Sequence, residues 1–468
     1  MKILMVCSEL APLAKTGGLA DAVTGLSRAL AARGHDVRAL LPRYAHLPVP
    51  KGLTHTVETP AGAFRCHELG GETLDAPAAR GKSPTLYLLD LAELTADRIY
   101  TGDGRDAGRF LRLAAAAAGL GAALDWQPDV VHCHDWHAAL VPVLDAKAPT
   151  VLTLHNVGYQ GVFAASVLAE YGMPDLGSRI PADAISDGYV NFLRAGLHAA
   201  DTVTTVSPTY ATEILTPAFG MGLEDVLASR PDGVVGILNG VDYGTWSPAN
   251  DPFIEAPYGA DDLTPKYRQK ASLSRRLGLL PDQNAPLLGV VSRLVSQKGI
   301  DLVTAALPTL LLETRANFAL LGSGDPAIAA ALREIASAHP RRVAFVEGYD
   351  EALSHQIYAG CDLLLVPSRY EPCGLTQMYA LRYGTIPVVR ATGGLADTIE
   401  HFEAATGRGN GAVFRDADPQ GLLWGVRTAL SWFDDPPTWS QLIANAMAAD
   451  FSWQKRVRPY ERLYRSLR

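Results

Sequence analysis

Lys15-Thr16-Gly17-Gly18 sets a cation and two glycines between a candidate first strand and a candidate first helix. Glycine lets a ligand approach the backbone, and N–H groups at a helix start attract anions, so the loop reads as a phosphate cradle with Lys15 as a mobile charge. A plain tight turn has the same composition. The spacing is neither that of a Walker A loop nor that of a G-x-G-x-x-G dinucleotide turn. Further on, His132-Cys133-His134-Asp135-Trp136-His137 has the composition of a metal site. Zinc needs three or four converging ligands with supporting partners, and no second Cys/His cluster of that spacing exists. The alternative is that Asp135 ends a strand and accepts hydrogen bonds from a neutral polyol, with His132 in the core. His155, Asn156, Tyr159 and Gln160 mix donors and acceptors as sugar hydroxyls require, although a self-capped loop would use the same residues.

The second half carries two more such groups. Arg293 and Lys298 flank one short loop after a strand, where two cations can neutralise charge building on a departing diphosphate or simply face solvent. Glu371-Pro372-Cys373-Gly374-Leu375-Thr376 opens a helix. Glu371 suits its positive end, as a cap or as a ligand group, and Gly374 and Leu375 can offer N–H groups to a phosphate. Cys373 is a poor candidate for a thiol nucleophile, and packing is its ordinary role.

These groups need a scaffold that delivers loops to one edge. Short apolar runs alternate with helical patterns, which predicts an α/β fold with parallel sheets. Ile3 to Cys7 predicts a buried strand, and Leu19, Ala22, Val23, Leu26, Ala29 and Leu30 predict a helix that stops at Gly34. Strands follow at 37–41, 129–134, 150–155, 201–207 and 234–238, each ending in polar or small residues. From about Asn239 to Asp282 prolines interrupt every periodicity, which marks a hinge. A second series then runs through 287–291, 318–321, 343–346, 363–366 and 386–389. Two Rossmann-like halves are implied. Thr16-Gly17-Gly18-Leu19-Ala20-Asp21 recurs letter for letter as Thr392-Gly393-Gly394-Leu395-Ala396-Asp397, again between strand and helix.

Composition narrows the partners. The 468 residues suffice for two or three domains, and 48% hydrophobic with 19% charged residues excludes disorder. A net charge of −8 disfavours nucleic acid but permits a small anion held locally. The apolar stretch from Leu113 to Leu124 is too short to span a bilayer. Five scattered cysteines and a start without a signal-peptide core point to a reduced, cytoplasmic setting.

Several motifs together resemble the bacterial glycogen synthase and plant starch synthase family of retaining glucosyltransferases. They are Lys15 to Asp21, His134-Asp135-Trp136-His137, His155-Asn156 with Tyr159-Gln160-Gly161, Leu238 to Asp242, Ser292-Arg293-Leu294 with Gln297-Lys298-Gly299, Glu371 to Leu375, and Thr392 to Leu395. The resemblance implies the GT-B architecture, two Rossmann-like domains facing a cleft. Residues 1–242, with a helix at about 455–468 crossing back, would form the glucan acceptor side, and residues 243–454 the nucleotide-sugar side. It implies transfer of glucose from ADP-glucose to the non-reducing 4-OH of an α-1,4-glucan such as glycogen, with release of ADP, without metal or other cofactor. It would place Lys15 and the Gly17-Gly18 backbone at the donor phosphates, with Arg293 and Lys298 on the ADP leaving group, and would count Asp21 among the substrate-binding residues. Asp135, His155, Asn156, Tyr159, Asn239 and Glu371 would surround the sugar, Cys373 to Thr376 would bind substrate, and Tyr349 would stack on adenine. Two departures stand out. Related retaining families often carry a second Glu eight positions after the first, where this chain has Tyr379. The stretch from Ala96 to Tyr100 matches the family loop only loosely.

Overall fold

The computed structural model describes residues 1–70, 83–91, 98–144 and 147–468, so Ala96 and Asp97 lie outside the described residues. Internal contacts divide the chain into two units, Met1–Gly240 with Trp453–Arg468, and Val241–Ser452.

Among the described residues, the large sheet of the first unit has nine strands. Their order is Val234–Gly236, Thr202–Thr205, Thr150–Leu154, Val130–His134, Lys2–Val6, Asp36–Pro42, Thr85–Asp90, Gly62–Leu69 and Thr54–Thr59. The first seven run parallel and the last two form an antiparallel hairpin on that edge. Helices cover both faces of a parallel sheet, which is why Ile3–Val6 and Thr150–Leu154 are buried along their length and read as unbroken runs rather than alternating ones. The hairpin strands alternate burial weakly and carry His and Glu, so the apolar pattern does not reveal them.

The helix Gly18–Ala32 buries Leu19, Val23, Leu26 and Leu30 on one stripe. The helix Trp453–Ser466 joins the same core through Trp453, Val457, Tyr460 and Tyr464, whose spacing makes one apolar face. Glu461 on this helix accepts from Arg33 Nε at 2.7 Å and pairs with His35 at 2.9 Å. Only glycine permits the approach at its start, because a Cβ at Gly25 would lie 1.9 Å from Trp453 Nε1.

The second unit holds six parallel strands in the order Val343–Glu347, Asn317–Gly322, Leu287–Val291, Leu363–Val366, Ile386–Arg390 and Ala412–Phe414. One expectation fails here. The proline-rich stretch read as irregular contains a helix, Thr264–Arg276, with Pro265 in its first turn, where a missing N–H costs nothing. Its buried positions include Lys266, Gln269 and Lys270, so hydropathy gives no helical signal. Lys266 Nζ donates to the carbonyls of Ala359 and Cys361 at 3.0 Å each, and Lys270 pairs with Asp362 at 2.7 Å. Burial still pushes the Lys266 ammonium down to about 8. No helix among the described residues is long and apolar enough to cross a membrane.

Gly25→Ala forces Trp453 out of its seat. Thermal unfolding of that variant is expected to show a loss of about 1–3 kcal/mol, typical of overpacking; an unchanged melting temperature would contradict this packing.

Candidate active site

Among the parallel strands of each unit the order reverses once, at the centre of the sheet. In the first, the reversal falls between Lys2–Val6 and Val130–His134, and in the second between Leu287–Val291 and Leu363–Val366. Loops leaving the carboxyl ends of two such strands turn in opposite directions and leave a crevice between them, where open α/β sheets bind ligands. The first pair of loops carries Lys15 to Gly18 and Asp135. The second carries Arg293 with Lys298, and Ser368 to Thr376.

In the second unit, Val291, Arg293, Lys298, Ser368, Glu371 and Thr376 line a pocket at that edge. Lys298 Nζ donates to Glu371 Oε2 at 2.6 Å, and Ser368 Oγ donates to the same oxygen at 2.9 Å. Both donors fall on Oε2, leaving Oε1 of a buried carboxylate without a hydrogen bond among the described residues. The backbone of this loop rests on the second copy of the repeated hexapeptide. Gly394 N donates to the Glu371 carbonyl at 3.0 Å, and a Cβ at Gly393 or Gly394 would lie 2.0 Å from the carbonyl oxygen of Glu371 or Cys373. In the first copy a Cβ at Gly17 would meet nothing within 4 Å, so identical letters serve different ends. Cys373 is buried, Gly374 takes φ of +71°, and Leu375 precedes the helix Thr376–Arg382. Tyr349 is 76% exposed, beyond the carboxyl end of Val343–Glu347. Tyr379 is buried and stacked on Trp246 at 4.0 Å, so an aromatic packs in the core where related families place a second carboxylate.

In the first unit, Glu9 organises the Lys15 loop, a role that sequence reasoning missed. Thr16 donates to its carboxylate through N at 2.7 Å and Oγ1 at 2.6 Å, Gly17 N donates at 3.2 Å, and Tyr100 OH donates at 2.6 Å. Gly17 N–H is therefore engaged by Glu9. Gly18 opens the helix, and Lys15 pairs with Asp21 in its first turn at 2.9 Å.

Asp135 is buried and its backbone takes φ of +55°, in the left-handed region. Such a conformation costs a non-glycine residue roughly 1–2 kcal/mol, and strain of this kind gathers at functional sites. Its Oδ1 accepts from His155 N at 2.6 Å and Asn156 N at 3.4 Å. Burial pushes the carboxyl up to about 7, against these two bonds. His155 Nε2 lies 3.1 Å from His134 Nδ1. Asn156 Oδ1 accepts from Gly158 N at 2.9 Å, Tyr159 is exposed, and Asn239 is buried beyond Val234–Gly236. Gln160 is scaffold: its amide donates to the Val157 and Met221 carbonyls and accepts from Asn191. His132 is bound by Tyr464 OH at 2.7 Å and Thr153 Oγ1 at 2.6 Å. Burial lowers His132 and His155 to about 3, and His134 and His137 well below the ordinary range. Among the described residues no group of three or more His, Cys, Asp or Glu is arranged to hold a metal ion.

Two outcomes follow from these geometries. The folded pKa of Asp135 lies above its unfolded value near 3.8, so the native state binds the extra proton and stability is lost as pH rises from about 4 through about 7. Asp135→Asn is expected to raise stability at pH 8 by up to about 4 kcal/mol, with the gain vanishing near pH 4; a gain independent of pH would exclude this origin. Glu9→Gln replaces one acceptor oxygen by a donor facing donors. Loss of about 1–3 kcal/mol in denaturant unfolding is expected, and wild-type stability would show that the carboxylate does not hold the loop.

A family model described as starch synthase catalytic domain matches residues 2–229, and one described as glycosyl transferases group 1 matches residues 276–447. Glycogen synthases of Anaeromyxobacter sp. (strain Fw109-5) and Alkalilimnicola ehrlichii are each 44% identical, over 100% of this chain and 99% of their own length. The catalytic domain of Starch Synthase IV from Arabidopsis thaliana, solved bound to ADP and acarbose, aligns with a TM-score of 0.89 at 34% identity, covering 100% of this chain and 99% of that one. Sucrose-phosphate synthase from Thermosynechococcus elongatus shares the fold, with a TM-score of 0.64 at 19% identity, covering 99% of this chain and 98% of that one. With the two parallel-sheet units, these likenesses establish that the chain belongs to the glycogen synthase and starch synthase family of glycosyltransferases and has the GT-B fold of two Rossmann-like domains.

Proposed function

We propose that the protein transfers glucose from ADP-glucose to the non-reducing 4-OH of an α-1,4-glucan, keeping the α configuration and releasing ADP. The observation that carries this reading is the pairing of Lys298 with Glu371 beside Arg293, at the strand reversal of the second sheet. Bond cleavage at the anomeric carbon leaves negative charge on the ADP β-phosphate. Arg293 and Lys298 stabilise that charge, and fixed cations in a partly desolvated pocket do so without reorganising. Glu371 Oε1 accepts from a hydroxyl of the transferring glucose while Oε2 keeps Lys298 aimed. Tyr349 stacks on adenine, and Cys373 to Thr376 form the wall of the donor subsite.

The first unit supplies the rest. Lys15, held by Asp21, with Gly17 and Gly18 shaping the turn, serves the donor phosphates. Asp135, His155, Asn156, Tyr159 and Asn239 surround the glucosyl unit and the acceptor, so residues 1–242 with the C-terminal helix act as the glucan side and residues 243–454 as the nucleotide-sugar side. The titratable groups suit a neutral sugar: four imidazoles are held uncharged, and Asp135 titrates near neutrality. Retention follows from attack on the face that the leaving group departs. Tyr379 in the place of a second carboxylate supports this over a covalent glucosyl intermediate.

Incubation with ADP-glucose and a glycogen primer is expected to release ADP and lengthen the glucan, with activity surviving EDTA. Lys298→Ala is expected to lower kcat by about 100-fold or more, the scale of one lost electrostatic donor, with the fold intact by circular dichroism. Absence of ADP release from any nucleotide-glucose would overturn the reading, and wild-type turnover by the Lys298 variant would remove that residue from it.

A further inference from the structure

His134 is given no substrate contact in the reading above, yet it is fully enclosed and touches His155, which is given one. Two neutral imidazoles share a single contact, His134 Nδ1 to His155 Nε2 at 3.1 Å, so one of these two nitrogens carries the hydrogen and the other accepts it. The choice is decided elsewhere on the His134 ring. His134 Nε2 is buried and has no hydrogen-bond partner. If His155 donated, His134 would hold its own hydrogen on Nε2, as a buried N–H with no acceptor. If His134 donates from Nδ1, Nε2 is a bare nitrogen. Orphaned buried donors are rarer than under-satisfied acceptors, and the second arrangement is the one the site tolerates. The neighbouring groups do not reverse it. His132, whose ring centroid is 4.2 Å away, is already engaged by Tyr464 and Thr153, and burial keeps all three rings uncharged.

The consequence reaches the substrate. With Nε2 of His155 accepting, its hydrogen must sit on Nδ1, the ring nitrogen that makes no hydrogen bond among the described residues. His155 then meets the substrate as a donor, suited to a hydroxyl oxygen lone pair. Asp135 holds the backbone of the same residue through His155 N, so main chain and ring are fixed by consecutive members of one strand end.

We infer that His134 is a positioning residue that sets the tautomer of His155, so that the His155 Nδ1–H is presented to a hydroxyl oxygen of the transferring glucose. The substrate contact rests on the proposed glucosyl transfer; the tautomer does not, and it is read without substrate.

Selective 15N-histidine labelling and long-range 1H–15N correlation of the wild-type protein tests the tautomer directly. The expected spectrum has His134 and His155 both protonated on Nδ1. Protonation of His155 on Nε2 would overturn the inference, whether or not the chain transfers glucose. In the enzymatic arm, His134→Phe removes the donor, whereas His134→Asn keeps an N–H near the Nδ1 position. His134→Phe is expected to lower kcat at least 10-fold with KM for ADP-glucose changed less than 3-fold and with loss of the single His155 tautomer. His134→Asn is expected to recover most of the kcat and the tautomer. Equal loss in both variants, or an unchanged kcat in His134→Phe, would also overturn it. Absence of turnover in the wild type would overturn the glucosyl-transfer reading and the substrate contact alone, leaving the tautomer to the spectrum.

Discussion

A parallel sheet whose strands are added first to one side and then to the other must contain one place where adjacent loops part. In this chain that constraint operates twice, beside Lys2–Val6 and beside Leu287–Val291. Crossover connections are right-handed, so the direction of chain travel across the sheet decides which face each helix covers and which way each loop leaves. Lys15, Asp135, Arg293, Lys298 and Glu371 come from the loops flanking these two partings, and His155, Asn156, Asn239 and Tyr349 from loops after other strands of the same sheets. Neither parting requires the charged residues to be near in sequence; Lys298 and Glu371 are 73 positions apart and share a hydrogen bond.

The clusters around Asp135 and around Glu371 handle buried polarity in different ways. The second unit keeps its charges and pairs them: Lys298 with Glu371, Lys270 with Asp362, and Lys266 among three acceptors. Around Asp135 the first unit instead suppresses charge, with four enclosed imidazoles and a carboxyl whose ionisation burial resists. An uncharged histidine lined against an uncharged histidine fixes direction, because each ring has one donor and one acceptor. A paired lysine fixes charge instead. Phosphate recognition calls for the second device and hydroxyl recognition for the first.

Much of this was legible in the sequence where chemistry is local. The parallel strands announce themselves because a strand buried on both faces is apolar throughout, and Lys15, Arg293, Lys298 and Glu371 stand in short loops directly after such strands. Family resemblance added roles that spacing alone left open. What stayed hidden depends on distant partners. Glu9 reads as the polar end of a strand until Thr16, Gly17 and Tyr100 are seen to converge on it. The helix Thr264–Arg276 turns lysines inward, so it carries no apolar stripe. The hairpin from Thr54 to Leu69 is half exposed, and the repeated hexapeptide conceals that one copy braces the Glu371 loop while the other has open space at Gly17.

The helix Trp453–Ser466 fills a core otherwise built from residues before Gly240. A ribosome adding roughly 5–20 residues each second needs on the order of 10–40 s to traverse Val241–Ser452. Throughout that interval the faces of Gly18–Ala32 and of the nearby strands destined for Trp453 and Tyr464 stay uncovered, and His132 lacks its phenolic partner. The amino-terminal domain is thus begun early and finished late, so its maturation during synthesis is tied to completion of the other domain, and the nascent chain bears an apolar seam that chaperones can recognise.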